Sequence, residues 1–67
     1  MMPIDQLAIF VRDKVHCLIQ LRSCPETILE GTIENFDMDS WMLVVANGKG
    51  HRIVNMQDIS VIVEKPQ

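Results

Sequence analysis

The sequence predicts a mainly β protein, in which a short N-terminal helix precedes a five-stranded, strongly bent antiparallel sheet that forms a small open barrel. Three observations support this fold class. Apolar residues recur at three- and four-residue spacing only near the N-terminus. Beyond that segment they alternate with polar residues or form short runs separated by turn-forming residues. Gly31 lies inside the second of these segments, where a glycine permits a bulge or a sharp bend.

The helix is predicted over residues 4–13. Pro3 precedes this segment, and Asp5 falls in its first turn, where a carboxylate is favourable. The apolar positions that would form one helical face are Ile4, Leu7, Ala8, Phe10 and Val11.

The first two strands are predicted over residues 15–21 and 28–36. In the first strand, apolar and polar residues alternate, and Cys17 is expected to face inward as a small apolar residue. Residues 23–26 end this strand because Pro25 lacks the amide hydrogen that a β-ladder requires. We therefore expect a turn here, followed by the long second strand that contains Gly31.

The remaining three strands are separated by polar breaks. Residues 41–45 form a continuous apolar run, which is typical of a central strand with neighbours on both sides. The dipeptide Asn47-Gly48 is a strong hairpin signal and leads into a strand over residues 51–54. The polar residues 55–58 then precede a final apolar strand over residues 59–63.

The length of the chain favours one domain, over residues 1–67, that associates with other copies. A domain this small buries only about 60% of the surface that its unfolded chain exposes, so external support is expected. An exposed apolar edge strand at residues 59–63 would be prone to aggregation, whereas pairing with another copy would cover it.

Charge and cysteine content exclude several classes of protein. Six basic residues against nine acidic ones give a net charge of −3, which argues against a general polyanion-binding surface. Two cysteines cannot form a disulfide framework or a four-sulfur zinc site. The sequence also lacks a membrane-length apolar stretch and a signal-peptide pattern. We therefore expect a soluble, cytoplasmic protein without cofactor, metal or membrane partner.

Residues 29–37, with the sequence Leu-Glu-Gly-Thr-Ile-Glu-Asn-Phe-Asp, resemble the first motif of the Sm-like family, which comprises Sm, LSm and Hfq-like proteins. Residues 42–44 follow at the expected distance, and the helix, the first strand and residues 58–62 also fall in register. The resemblance thus covers nearly the whole chain. It implies an Sm-like, SH3-like open barrel that assembles head-to-tail into rings, commonly of six or seven subunits, and binds single-stranded RNA around a pore.

The resemblance also implies positions for the RNA-binding residues and for the subunit interface. Candidate RNA-binding residues lie in the two loops nearest the pore and are Asp39, Ser40, Trp41, Asn55, Met56 and Gln57. Pairing of the fourth strand of one copy with the fifth strand of the next would form the interface. Its residues would be Arg52, Ile53, Val54, Ile59, Val61 and Val63.

Two departures from the family pattern affect this RNA site. Trp41 occupies the position where Sm and LSm proteins commonly have an Asn that contacts uridine. Residues 55–57 read Asn-Met-Gln, where the family carries Arg-Gly or Lys-His. Trp41 would either stack on a base or belong to the core or an interface. The amides of Asn55 and Gln57 would either bind base edges or form a turn.

Two functions therefore remain open: a ring that binds short single-stranded RNA, and a structural or protein-interaction ring that has lost RNA binding. An enzyme is not expected, because no nucleophile, base and orienting group form a recognisable arrangement. The carboxylates of Asp37 and Asp39 fit a polar turn better than acid–base chemistry. The basic residues Lys49 and Arg52, with His51, fit either phosphate contact or a solvated hairpin.

Overall fold

The computed structural model describes residues 4–66; Pro3, which was predicted to precede the helix, lies outside the described residues. Helix α1 spans Ile4–Arg12, close to its predicted bounds. It ends in a left-handed turn in which the amide of Val15 donates to the carbonyl of Phe10 and the amide of Lys14 donates to the carbonyl of Val11. These bonds satisfy carbonyl groups at the end of the helix.

Five strands follow α1 and form one sheet in which every neighbouring pair is antiparallel. Their bounds are β1 His16–Leu21, β2 Ile28–Asp37, β3 Met42–Asn47, β4 Gly50–Asn55 and β5 Ile59–Glu64. A single 3-10 turn, Met56–Asp58, connects β4 to β5. The order across the sheet is β4-β3-β2-β1-β5. The predicted fold class is confirmed, and β4 and β5 are the two edge strands.

Strand β3 has neighbours on both sides, as its apolar run predicted, although β2 is the middle strand of the sheet. The predicted strand starts one residue too early, because Trp41 lies in the preceding turn and β3 starts at Met42. The β3–β4 hairpin closes with Asn47 paired to Gly50. The Asn47-Gly48 signal therefore marked the hairpin correctly.

At Gly31 the backbone of β2 closely approaches β3. A β-carbon at this position would lie 2.4 Å from the carbonyl oxygen of Ala46 and 2.9 Å from Cγ1 of Val45. The register between β2 and β3 shifts further along, between Ile33 and Asn35. Glycine thus permits the close approach, and a separate irregularity accommodates the curvature.

One hydrophobic core joins α1 to the sheet. Its buried side chains are Leu7, Phe10, Cys17, Ile19, Ile33, Leu43, Val45, Val54 and Met56. The inward orientation of Cys17 is confirmed, and burial raises the pKa of its thiol to about 11. Helix α1, with nine residues, is too short to cross a membrane, and the described part of the chain contains no longer helix.

Candidate nucleic-acid interface

The two predicted RNA-binding loops come together at one end of the β3–β4 hairpin. Met42, the first residue of β3, pairs with Asn55, the last residue of β4. Just beyond this pair, the amide of Met56 donates to the carbonyl oxygen of Trp41 at 2.7 Å. The hydrogen bond joins the turn at residues 38–41 to the 3-10 turn Met56–Asp58. Segments more than ten residues apart in sequence therefore form one surface.

Asp37 shapes the first of these loops. Its Oδ1 accepts a hydrogen bond from the amide of Asp39 at 3.0 Å, and its Oδ2 accepts one from the hydroxyl of Ser40 at 3.1 Å. This is the usual way in which an aspartate stabilises a turn. Asp39 is exposed, and its carboxylate has no hydrogen-bond or ion-pair partner within residues 4–66. The two carboxylates thus have different roles: that of Asp37 holds the turn, whereas that of Asp39 makes no hydrogen bond or ion pair within the described residues.

Trp41 closes this turn in an unusual backbone conformation. Its φ is 59°, in the left-handed region that bulky side chains rarely adopt. The side chain is half-buried and packs against the core. Half-burial leaves part of the side chain on the surface, so the structure accommodates both interpretations of this residue: an anchor in the fold and a stacking platform.

Asn55 forms the N-terminal cap of the 3-10 turn, since its Oδ1 accepts a hydrogen bond from the amide of Gln57 at 2.8 Å. This bond does not use the side-chain NH₂ of Asn55, which remains a hydrogen-bond donor. Gln57 is exposed. Met56 is only 3% exposed and belongs to the core, so its side chain lies beneath the surface that the other five candidate residues form.

The electrostatic character of this surface is acidic. Residues 37–41 and 55–58 contain three aspartates and no lysine, arginine or histidine. Asp58 is engaged with Ser23, whose amide and hydroxyl both donate to its carboxylate. A ligand here would therefore be held by stacking and hydrogen bonds, because no cation is available in these loops to neutralise a phosphate.

The basic residues lie at the opposite end of the hairpin. Because β3 and β4 have six residues each, the two ends are about 20 Å apart. Lys49, His51 and Arg52 line an open groove of about 700 Å³ there, together with an ion pair between Lys65 and Glu30. Hydrogen bonds from Lys65 and His16 lower the pKa of the Glu30 carboxyl below its ordinary value. The predicted basic cluster is thus well separated from Trp41.

On the two edge strands, some of the candidate interface residues have exposed side chains and others have buried ones. Ile53 on β4 is 65% exposed, and Val61 and Val63 on β5 are 46% and 47% exposed. Arg52 is also exposed, and Ile59 is half-buried against the core. Val54 is buried at 5%, so it offers a partner only its backbone. Large apolar side chains therefore lie exposed on both edges of the sheet.

Comparison with solved structures finds the same fold in a 1.55 Å crystal structure described as that of the pleiotropic translational regulator Hfq. The match has a TM-score of 0.77 at 13% sequence identity and covers 97% of this chain and 100% of that one. No family model matches the sequence, and no curated protein matches it either. The architecture is thus the Sm-like fold, at a sequence identity that establishes the fold alone.

Proposed function

From this Sm-like fold, we propose that the protein assembles into a homo-oligomeric ring and binds short single-stranded RNA through residues 38–41 and 55–57. The observation that carries the proposal is the hydrogen bond from Met56 to Trp41, which joins the two loops into one surface with a half-exposed aromatic side chain. The similarity to Hfq, described as a translational regulator, supports a function that involves RNA.

The two edges of the sheet support the proposed ring assembly. The outer sides of β4 and β5 carry backbone amide and carbonyl groups that pair with no other strand in the described chain. If β5 of one copy adds to β4 of the next, each copy uses both edges, and repetition closes a ring. Such pairing also brings the exposed Ile53 of one copy near the exposed Val61 and Val63 of its neighbour. The association would remove apolar surface from water.

RNA binding at this surface depends on stacking and on amide contacts. A base stacked on Trp41 would have the side chains of Asn55 and Gln57 nearby to bind its edge. Because the loops contain no cationic side chain, we expect a shallow dependence of affinity on salt. On single strands the slope of log affinity against log salt is roughly 0.7 per phosphate neutralised.

Fluorescence anisotropy with labelled uridine-rich and adenine-rich oligonucleotides, at two salt concentrations, tests this function. Trp41→Ala should weaken binding by ~1–3 kcal/mol while the ring stays intact, because a base loses its stacking partner. Ile28→Ala is a matched control: Ile28 is 53% exposed, but it lies on β2, away from both loops. Equal affinity for the wild type and Trp41→Ala would contradict the proposed site.

The second candidate function, a protein-interaction ring, is favoured by the acidic loops. Asp37, Asp39 and Asp58 make the surface around Trp41 unfavourable for a phosphate backbone. A verified ring that binds neither oligonucleotide at low salt would support this alternative.

We further propose that the protein acts by binding rather than by catalysis and that it is located in the cytoplasm. Both cysteines are free thiols, and a reducing compartment would keep them so. The thiol of Cys17 is held in the core, where its raised pKa disfavours the reactive thiolate.

A further inference from the structure

Building on the proposed RNA-binding function, we propose that Asp39 gives this site a preference for guanine over uracil. The two loops leave several hydrogen-bonding groups unused, and guanine is the base that fits those groups best.

The hydrogen bonds within the loops determine which groups remain free. Both carboxylate oxygens of Asp37 are engaged by the turn itself. The carboxylate of Asp39, two residues further on, is exposed and has no partner in the part of the chain that the structure describes. On the second loop, Oδ1 of Asn55 already accepts a hydrogen bond from the amide of Gln57, whereas its NH₂ group has no partner among the described residues and can donate to a ligand. The site thus presents an acceptor pair on one loop and a donor group on the other.

Asp39 and Asn55 approach Trp41 along different segments of the chain. Asp39 belongs to the same tight turn, while Asn55 lies across the hairpin, paired with the residue that follows Trp41. A base stacked on the indole would therefore meet a carboxylate along one part of its edge and an amide NH₂ along another. The backbones of Asp39 and Trp41 and the side chain of Asn55 are each held by a hydrogen bond, which suits the site to distinguish bases by their edges.

Guanine is the base whose edge matches this arrangement. Its N1–H and N2–H donors are adjacent and parallel, so they can both bond to one carboxylate, and its O6 accepts from an amide NH₂. Uracil has a single N3–H donor between two carbonyl oxygens, and these oxygens repel the second carboxylate oxygen. Adenine and cytosine each offer one amino donor beside a ring nitrogen that accepts. The expected order of affinity is guanine first, adenine and cytosine next, and uracil last.

The test uses three labelled oligonucleotides: heptauridine, the same strand with one central guanosine, and the same strand with a central inosine, which lacks the N2 amino group. Anisotropy titrations of the wild-type ring should show about tenfold tighter binding of the guanosine strand than of heptauridine. This value lies in the lower part of the range for bidentate base contacts, because Asp39 is exposed to water. The inosine strand should fall between the two.

Asp39→Asn should reduce the ratio of guanosine to uridine affinity to nearly one, because an amide has a single acceptor oxygen. Removing a negative charge also weakens the repulsion of every strand, so the ratio, and not the absolute affinity, identifies base recognition. Glu26→Gln is the charge-matched control, since Glu26 lies in the exposed β1–β2 loop, and this variant should keep the wild-type ratio.

Two outcomes would overturn the proposal, and they have different meanings. Equal or tighter binding of heptauridine by the wild type, or an unchanged ratio in Asp39→Asn, would overturn the guanine preference while leaving the RNA-binding function in place. Failure of the intact ring to bind any of the three strands would overturn the RNA-binding function, and with it this inference.

Discussion

Lys14 adopts a left-handed backbone conformation, with φ of 51°, immediately after helix α1. The amides of Lys14 and Val15 donate to the carbonyls of Val11 and Phe10, which is the hydrogen-bond pattern of a Schellman motif. Glycine is the usual residue at this position because it has no β-carbon to clash with the backbone. Lysine here is therefore a local source of strain in an otherwise well-satisfied helix end.

Lys14→Gly should raise the free energy of unfolding by about 0.5–1 kcal/mol, because glycine adopts this conformation without strain. Urea denaturation at a fixed protein concentration measures the change. Lys14→Ala is the control: alanine retains a β-carbon, so it should give no comparable stabilisation. If both variants stabilise the protein equally, removal of the lysine charge is the cause and the strain argument is wrong.

The burial of a single residue was predicted correctly where that residue belonged to a periodic pattern. Cys17 was placed in the core because it falls on the apolar side of an alternating strand. Met56 was grouped with its polar neighbours, but it turns inward in the 3-10 turn and fills the core. An apolar residue alone in a polar break was the only available signal. No feature of the sequence indicated the positive φ of Trp41, because this residue begins a continuous apolar run, which is typical of an uninterrupted strand.

At the scale of elements, β2 and β3 approach so closely at Gly31 that a side chain there would strike the backbone of Ala46. The contact lies in the middle of the sheet, where neither strand can move without disturbing the core residues Ile33 and Val45. The close packing of β2 against β3 thus requires glycine at position 31, where alanine would place a methyl group.

Gly31→Ala should lower the free energy of unfolding by about 2 kcal/mol or more, because the two strands must separate to accommodate the added carbon. Gly48→Ala is the matched control, since a β-carbon at Gly48 would meet nothing within 4 Å. It should change stability by less than about 0.5 kcal/mol. Chemical denaturation of both variants distinguishes close approach from a general effect of replacing glycine.

The order of the elements was predictable because each strand has its own periodicity and each break contains turn-forming residues. The bounds agree with the prediction to within a residue or two. The irregularity between Ile33 and Asn35 was not predicted, since it depends on how β3 pairs with β2. Sequence alternation shows which face of a strand is buried, but it does not show where an extra residue interrupts the pairing of two strands.

At the scale of the whole molecule, the charges are distributed unevenly between the two ends of the β3–β4 hairpin. Asp37 and Asp39 lie near Trp41, whereas Lys49 and Arg52 lie beside the groove at the far end. The sequence predicted the acidic balance and the two clusters. The fold separates the acidic cluster from the basic cluster, because the turn of a hairpin and its open end lie at opposite ends of the two strands.

Val61→Lys should dissociate the proposed ring, because an ammonium group would have to be buried where β5 meets the neighbouring β4. Ile28→Lys is the control: Ile28 is 53% exposed, but its strand, β2, lies in the middle of the sheet and has no free edge. Sedimentation velocity should show small species for Val61→Lys and an unchanged ring for Ile28→Lys. Dissociation of both variants would contradict pairing through the edge strands.

We propose above that several copies of this chain together bind one short single-stranded RNA. Sedimentation velocity of the wild-type protein at micromolar concentration, followed through the label on an oligonucleotide that contains uridine and guanosine, tests it most directly. We expect the label to sediment with a species of several chains, and we expect Trp41→Ala to release the label without reducing the number of chains in that species. A protein that sediments as a 7.7 kDa monomer, with the label sedimenting as free oligonucleotide, would contradict it.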